Sequence, residues 1–183
     1  MAEIGAIVVV VPAAHLARTK ALITRAGIRK VVAIVPGGKE RQSSVRAGLE
    51  SFPRQPSIVL VHDAVRPFVR RKVVRNVILA ARRYDAAVVG VRVTDTIKEA
   101  DDRGFYARTL ARDRLWAVQT PQGFKFDLLL SAHREAAGKK FIGTDEASLV
   151  ERVGIRVRIV EGDYDNLKIT TREDLKIAKF RVK

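Results

Sequence analysis

The chain has 183 residues, 20.3 kDa and 47% hydrophobic residues, enough for one well-buried core and short for two, so a single domain over residues 1–183 is expected. It contains no cysteine, which excludes disulfides, thiolate nucleophiles and cysteine-based zinc sites and suits a reducing, cytoplasmic setting; its longest apolar run, residues 6–14, is far too short to span a membrane, and Met1-Ala2-Glu3 carries no basic signal-peptide head. The formal charge of +15 is the outlier, but the cations are dispersed, with only Lys176–Lys183 notably basic, whereas a nucleic-acid binder gathers them in a stripe or tail with stacking aromatics, so nucleic acid is not the expected partner.

Short Val/Ile-rich runs alternate with amphipathic stretches, the pattern of buried parallel strands joined by helices. Strands are predicted at Ile7–Val11, Val31–Val35, Ile58–Val61 and Ala87–Val91. Helices are predicted at His15–Arg25, Gln42–Ser51 and Lys72–Tyr84, where Val73, Val77 and Ala81 stack at i, i+4 and i+8. From Thr94 to Phe126 the pattern turns polar and alternating, with Asp101-Asp102-Arg103-Gly104 as a hairpin turn, and reads as a protruding antiparallel arm. Beyond it, helices are predicted at Asp127–Ala137 and Thr144–Val153, a half-exposed strand at Ile155–Ile159, and a closing helix from about Arg172 to Arg181. The fold class is α/β: a Rossmann-like, mostly parallel sheet flanked by helices, with the β-arm.

In open α/β sheets ligands sit outside the carboxyl ends of the strands, which directs attention to three strand ends. Ile58–Val61 runs into His62-Asp63-Ala64-Val65-Arg66-Pro67, so a carboxylate and a guanidinium emerge together; Asp63 is either a helix cap or a ligand for a hard cation such as Mg²⁺, which takes oxygen donors and keeps several waters. Asp165 offers a second carboxylate and Lys168 a mobile ammonium in Gly162–Lys168, a segment that reads equally as a solvated loop. Pro36-Gly37-Gly38-Lys39-Glu40-Arg41 joins a strand to a helix; its glycines let backbone approach a ligand, or form an ordinary turn. Neither a Walker loop nor G-x-G-x-x-G occurs, and His15, His62 and His133 have no metal-ligand spacing.

Together these segments carry more than any one of them. Gly-Gly-x-Glu-Arg-x-x-Ser-Val-x-x-Gly-Leu over Gly37–Leu49, Val61–Pro67, Thr94–Lys98, Leu115–Gln122, Thr144-Asp145-Glu146-Ala147-Ser148 and Val160–Lys168 closely resemble the 2-C-methyl-D-erythritol 4-phosphate cytidylyltransferases of non-mevalonate isoprenoid synthesis. Ribitol-5-phosphate cytidylyltransferases are similar over several of the same segments, although Thr144–Ser148 and Leu115-Trp116 look more like the methylerythritol enzymes.

The resemblance implies direct attack of a polyol phosphate oxygen on the α-phosphorus of CTP, catalysed by positioning and charge neutralisation. It implies that Asp63 and Asp165 hold Mg²⁺ or substrate hydroxyls and that Lys168 neutralises phosphate at the reacting centre. Gly38, Lys39 and Ser44 would meet cytosine and ribose. Thr96 and Arg112 would bind the polyol phosphate from the partner subunit of a homodimer built through the arm, supported by Arg66. The family's glycine-rich Ala-Ala-Gly-x-Gly-x-Arg segment has no counterpart ahead of Ile7, so a sheet short of a central strand and a weakened site are expected. The readings that follow are an active cytidylyltransferase, a truncated non-catalytic dimer, or a basic α/β nucleic-acid module.

Overall fold

A computed structural model describes residues 2–181. Its elements, in order, are β1 (Ile7–Val11), α1 (Leu16–Arg25), β2 (Val31–Pro36), α2 (Arg41–Glu50), β3 (Ile58–Val61), α3 (Arg71–Tyr84), β4 (Ala86–Arg92), β5 (Lys98–Ala100), β6 (Tyr106–Thr109), β7 (Trp116–Lys125), α4 (Phe126–Gly138), α5 (Glu146–Arg152), β8 (Arg158–Glu161) and α6 (Arg172–Arg181). The last two residues of the basic Lys176–Lys183 stretch lie outside the described residues.

The α/β architecture with flanking helices is as expected. The central sheet has the order β3-β7-β4-β8. Strands β4 and β8 are parallel, whereas β7 runs antiparallel between β3 and β4, so three strands share one direction and the inserted one opposes them. The core lies on both faces of β4, whose residues Ala86 to Val91 are all buried. On one face Ala87 and Val89 meet Val73, Val77 and Ala81 of α3, the i, i+4, i+8 stripe legible in the sequence. On the other, Ala86 joins Phe124, Phe126, Leu129, Leu149 and Val150 beneath α4 and α5. Burying each large apolar side chain contributes about 1.5–3 kcal/mol, which makes this two-sided core the rigid support for the strand ends.

The arm is shorter than the sequence pattern predicts. Only β5 and β6 form the separate antiparallel hairpin, closed at Asp101–Gly104 with Gly104 at φ +83°. Trp116–Lys125, read as part of a polar arm over 94–126, is instead β7, with Gln119 to Phe124 buried. The misreading has a physical cause: Gln119, Thr120 and Gln122 resemble solvent-facing residues, but each makes hydrogen bonds inside the protein. Gly123 is required there, since a Cβ would stand 2.7 Å from Val77 Cγ1 and 2.9 Å from Leu60 Cδ2 under α3. A second shift concerns the edge strand, which begins at Arg158 rather than Ile155; Ile155 and Val157 pack against the core before pairing starts.

Strands β1 and β2 form their own parallel pair, not hydrogen-bonded to the central sheet. No residue from 2 to 47 is buried, despite the Val/Ile content of both strands. Helix α2 connects this pair to the body: Gly48 backs onto Val10 of β1, and Val45 packs against the cluster around Phe126.

Candidate active site

The carboxyl ends of β2 and β3, the loop after β8 and the first residue of α5 meet around Asp63. Backbone N–H of Asp63 donates to Thr120 Oγ1 (3.0 Å) on buried β7, which fixes the residue where β3 ends. Its carboxylate lies between two cations. Lys168 Nζ stands 3.2 Å from Oδ2, and Arg41 Nη2 stands 3.2 Å from Oδ1. Arg41 turns its other face to Glu146, donating from Nη1 to Oε1 (2.9 Å) and Oε2 (2.7 Å). Two guanidinium or ammonium groups and two carboxylates thus form one charge-balanced chain from α5 to the loop after β8.

Burial works against charge on Asp63, but the hydrogen bond from Lys168 and the charges of Arg41 and Lys168 outweigh it and hold the carboxyl below its ordinary value. Burial pushes Glu146, 1% exposed, upward against the pull of Arg41; burial also works against the charge of Arg41, but Glu146 and Asp63 outweigh it and hold the guanidinium above its usual value. Glu146 is placed by neighbours on both sides. Asp145 caps α5 through Ser148 N–H and accepts from Gln122 Nε2 (2.7 Å), while Gln122 Oε1 accepts from Ala147 N–H.

A second network braces the strand end. His62 Nε2 pairs with Arg66 carbonyl oxygen (3.0 Å) and Nδ1 with Thr120 Oγ1 (3.1 Å), and burial lowers the imidazole pKa, which suits a neutral ring that donates through Nε2 and accepts through Nδ1. Arg66 Nη1 donates to Asn166 carbonyl oxygen (2.7 Å), and buried Asn166 donates to Gln119 Oε1 and Thr120 carbonyl oxygen. His62 is therefore structural, and Arg66 links the β3 end to the Gly162–Lys168 loop.

Beside Asp63, the Gly37-Gly38 turn leads into α2. Gly38 N–H donates to Ser44 Oγ (3.1 Å), and Glu40 with Ser43 forms a capping box. A Cβ on Gly37 would lie 2.7 Å from Ser44 Oγ, and one on Gly38 would overlap Ser43, so the turn needs both glycines to pass this close to the helix. Lys39 and Gly38 are exposed at its tip.

Of the residues singled out from sequence, Asp63 and Lys168 are in contact, and Gly38 with Ser44 stands on the adjacent turn. Asp165 is held elsewhere, its Oδ2 by Arg70 (2.8 Å) and its Oδ1 by Arg181 (2.7 Å). Thr96 and Arg112 lie exposed at the base of the arm, where Arg112 Nη1 donates to Thr94 carbonyl oxygen (2.8 Å) rather than to the Asp63 cluster. Arg41 and Glu146 were missed as members of the site. The signal for Glu146 was available: with Leu149 and Val150 it occupies the i, i+3, i+4 buried face of a helix, and a carboxylate there needs a cation.

Comparison with known proteins identifies the family of the chain. The profile of the 2-C-methyl-D-erythritol 4-phosphate cytidylyltransferase family (IspD) matches residues 1–183. The chain belongs to that family. A relative of this name from Pelotomaculum thermopropionicum is 50% identical over 162 residues, covering 88% of this chain and 68% of its own length. Another, from Geobacillus kaustophilus, is 49% identical over 173 residues, covering 94% of this chain and 75% of the relative. Among solved structures, the 4-diphosphocytidyl-2C-methyl-D-erythritol synthase of Anaerococcus prevotii superposes with a TM-score of 0.90 at 30% identity, over 99% of this chain and 83% of that one. The cytidylyltransferase of Thermus thermophilus matches with a TM-score of 0.74 at 41% identity, over 81% and 72%.

Proposed function

We propose that this chain transfers CMP from CTP to 2-C-methyl-D-erythritol 4-phosphate and releases pyrophosphate, the CTP-dependent step of isoprenoid precursor synthesis. The observation that carries the reading is the Asp63–Lys168 pair at the end of β3, beside the Gly37-Gly38 turn, in a member of this family. In the reaction a phosphate oxygen of the polyol attacks the α-phosphorus of CTP; the new P–O bond forms as the bond to the β-phosphate bridging oxygen breaks, and pyrophosphate leaves with that electron pair. No covalent enzyme intermediate is needed, so the protein's share is alignment and compensation of developing negative charge.

Lys168 supplies a cation to a phosphate oxygen while Asp63, 3.2 Å from its Nζ, orients it. Gly38, Lys39 and Ser44 are read as the nucleotide-binding turn, where an exposed backbone accommodates cytosine and ribose. Arg66 supports the polyol phosphate pocket. Thr96 and Arg112 are read as ligands for the polyol phosphate in the partner subunit of a homodimer. The exposure of every residue of β5 and β6, with Phe105 at 70% and Tyr106 at 76%, supports the hairpin as the joining element.

Mg²⁺ is the ion that family membership and the triphosphate imply, and it would shield phosphate charge when bound. Among the described residues no group of three or more His, Asp or Glu side chains gathers, which suits an ion held largely by phosphate oxygens and water. Asp63 fits as its carboxylate ligand. Asp165 is read as the second carboxylate for the ion or as acceptor of a substrate hydroxyl; each of the two carboxylates also has a cation on each oxygen, Arg41 and Lys168 on Asp63, Arg70 and Arg181 on Asp165. No helix among the described residues is long and apolar enough to cross a membrane.

The test is pyrophosphate release by the purified 183-residue chain with CTP and Mg²⁺, offering methylerythritol phosphate and ribitol 5-phosphate separately. Release with the first substrate is expected. Preference for ribitol phosphate, or no release from a folded protein with either substrate, would overturn the reading.

A further inference from the structure

We infer that Glu146 is a positioning residue for the transfer reaction, acting through Arg41 to keep Asp63 in contact with Lys168. The inference rests on the function proposed above and extends its site by one step. Glu146 is 1% exposed and takes both hydrogen bonds from Arg41 Nη1, while the Nε and Nη2 edge of the same guanidinium reaches only Asp63 Oδ1, at 3.4 and 3.2 Å. Arg41 is thereby shared unequally. A guanidinium prefers a two-point fit to one carboxylate, and Asp63 is the other carboxylate within reach. Without the negative charge of Glu146, Arg41 would close on Asp63 as a fork, take Oδ2 as well as Oδ1, and displace Lys168 from its position 3.2 Å away.

A stabilising role alone accounts poorly for a carboxylate buried at this depth, because desolvation of such a pair offsets most of its attraction. The placement of Glu146 is also more rigid than an ion pair requires. Gln122 of β7 holds the residues on either side of it, Asp145 through its carboxylate and Ala147 through its N–H. Glu146 is thus fixed to the central sheet, and the sheet sets the angle of Arg41.

The experiment is a cycle of Glu146→Gln, Asp63→Asn and the double variant, with kcat and KM for CTP and the thermal midpoint of each. Glu146→Gln is expected to lower kcat about 10- to 100-fold, the scale of a misplacement of about an ångström, with KM for CTP changed less than about threefold. In the Asp63→Asn background the same substitution is expected to cost less than about twofold, because its route passes through Asp63. Equal losses in both backgrounds, or a lower thermal midpoint with kcat unchanged, would overturn the inference. Arg41→Lys keeps the charge but cannot bridge both oxygens of Asp63, so added to Glu146→Gln it should recover part of the lost kcat, and no recovery would overturn the inference; Glu146→Asp, which keeps the negative charge and should lose less kcat, serves if Glu146→Gln does not fold. Should the wild-type chain fail to turn over, the functional reading falls separately. A crystal structure of the Glu146→Gln protein then judges the clamp: Asp63 bridged by Arg41 and parted from Lys168 supports it, and an unchanged Asp63–Lys168 contact overturns it.

Discussion

Lys168 and His133 show opposite uses of a titratable side chain. The Lys168–Asp63 contact is open enough that the lysine side chain is 45% exposed, and such a pair contributes only about 0–1 kcal/mol to stability. In the proposed reaction its value is in charge at the reacting phosphate. Lys168→Met is therefore expected to lower kcat by about 10²–10³-fold while moving the thermal midpoint little, checked by pyrophosphate release and calorimetry on the same preparation. His133 is buried in α4 at 1% exposure with neither ring nitrogen hydrogen-bonded, and burial, then the nearby Arg46 and Arg41, opposed by Glu50, push its pKa down to about 4. The unfolded chain protonates this ring first, near its ordinary 6.5, so the contribution of His133 to stability is complete above that pH and is lost as pH falls toward about 4. The loss reaches about 3 kcal/mol only once the pH is below the folded value of about 4. Urea midpoints between pH 7 and 4 should fall in the wild type and stay flatter in His133→Leu; parallel curves would show that another group is responsible.

Among the elements, β7 departs most from its sequence pattern and does most for the site. It lies between β3 and β4, carries Thr120 to the Asp63 backbone and Gln122 to the start of α5, and passes under α3 only because residue 123 has no side chain. Gly123→Ala would force a methyl against Val77 and Leu60, so destabilisation of about 1–3 kcal/mol is expected from chemical denaturation. Because β7 also anchors Asp63 and Glu146, activity should fall more than the folded fraction does. Helix α6 is less central. Its start is closed by Asp174, which accepts from Thr170 and Thr171 N–H and is held at a pKa of about 2 chiefly by the Thr170 bond.

At the scale of the molecule, the exposed hairpin and the positive charge both concern partners. If the proposed arm-built dimer holds, Phe105→Ser with Tyr106→Ser shifts sedimentation from dimer toward monomer and raises KM for the polyol phosphate, since Thr96 and Arg112 would no longer be presented to a second site. A wild-type monomer that turns over normally would refute the arm as an interface. The net charge of +15 matches substrates that are themselves polyanions, and the chain of Arg41, Glu146, Asp63 and Lys168 is locally neutral, so the excess lies outside that cluster.

Local order along the chain made much of this legible. The helix α3 stripe, the strand runs Ile7–Val11 and Ile58–Val61, the Asp101–Gly104 turn and the strand-end placement of Asp63, Lys168 and Gly38 follow from periodicity and from where open sheets expose their ends. Contacts between distant segments were not legible, because a polar side chain carries no record of whether water or protein will satisfy it. The burial of Gln119, Thr120 and Gln122 in β7, the separation of the β1–β2 pair from the central sheet, and the bond from Arg41 to Glu146 across 105 residues each depend on which elements pack together. The free energy of a buried carboxylate or amide is decided by that packing, through the partner it supplies and the water it removes.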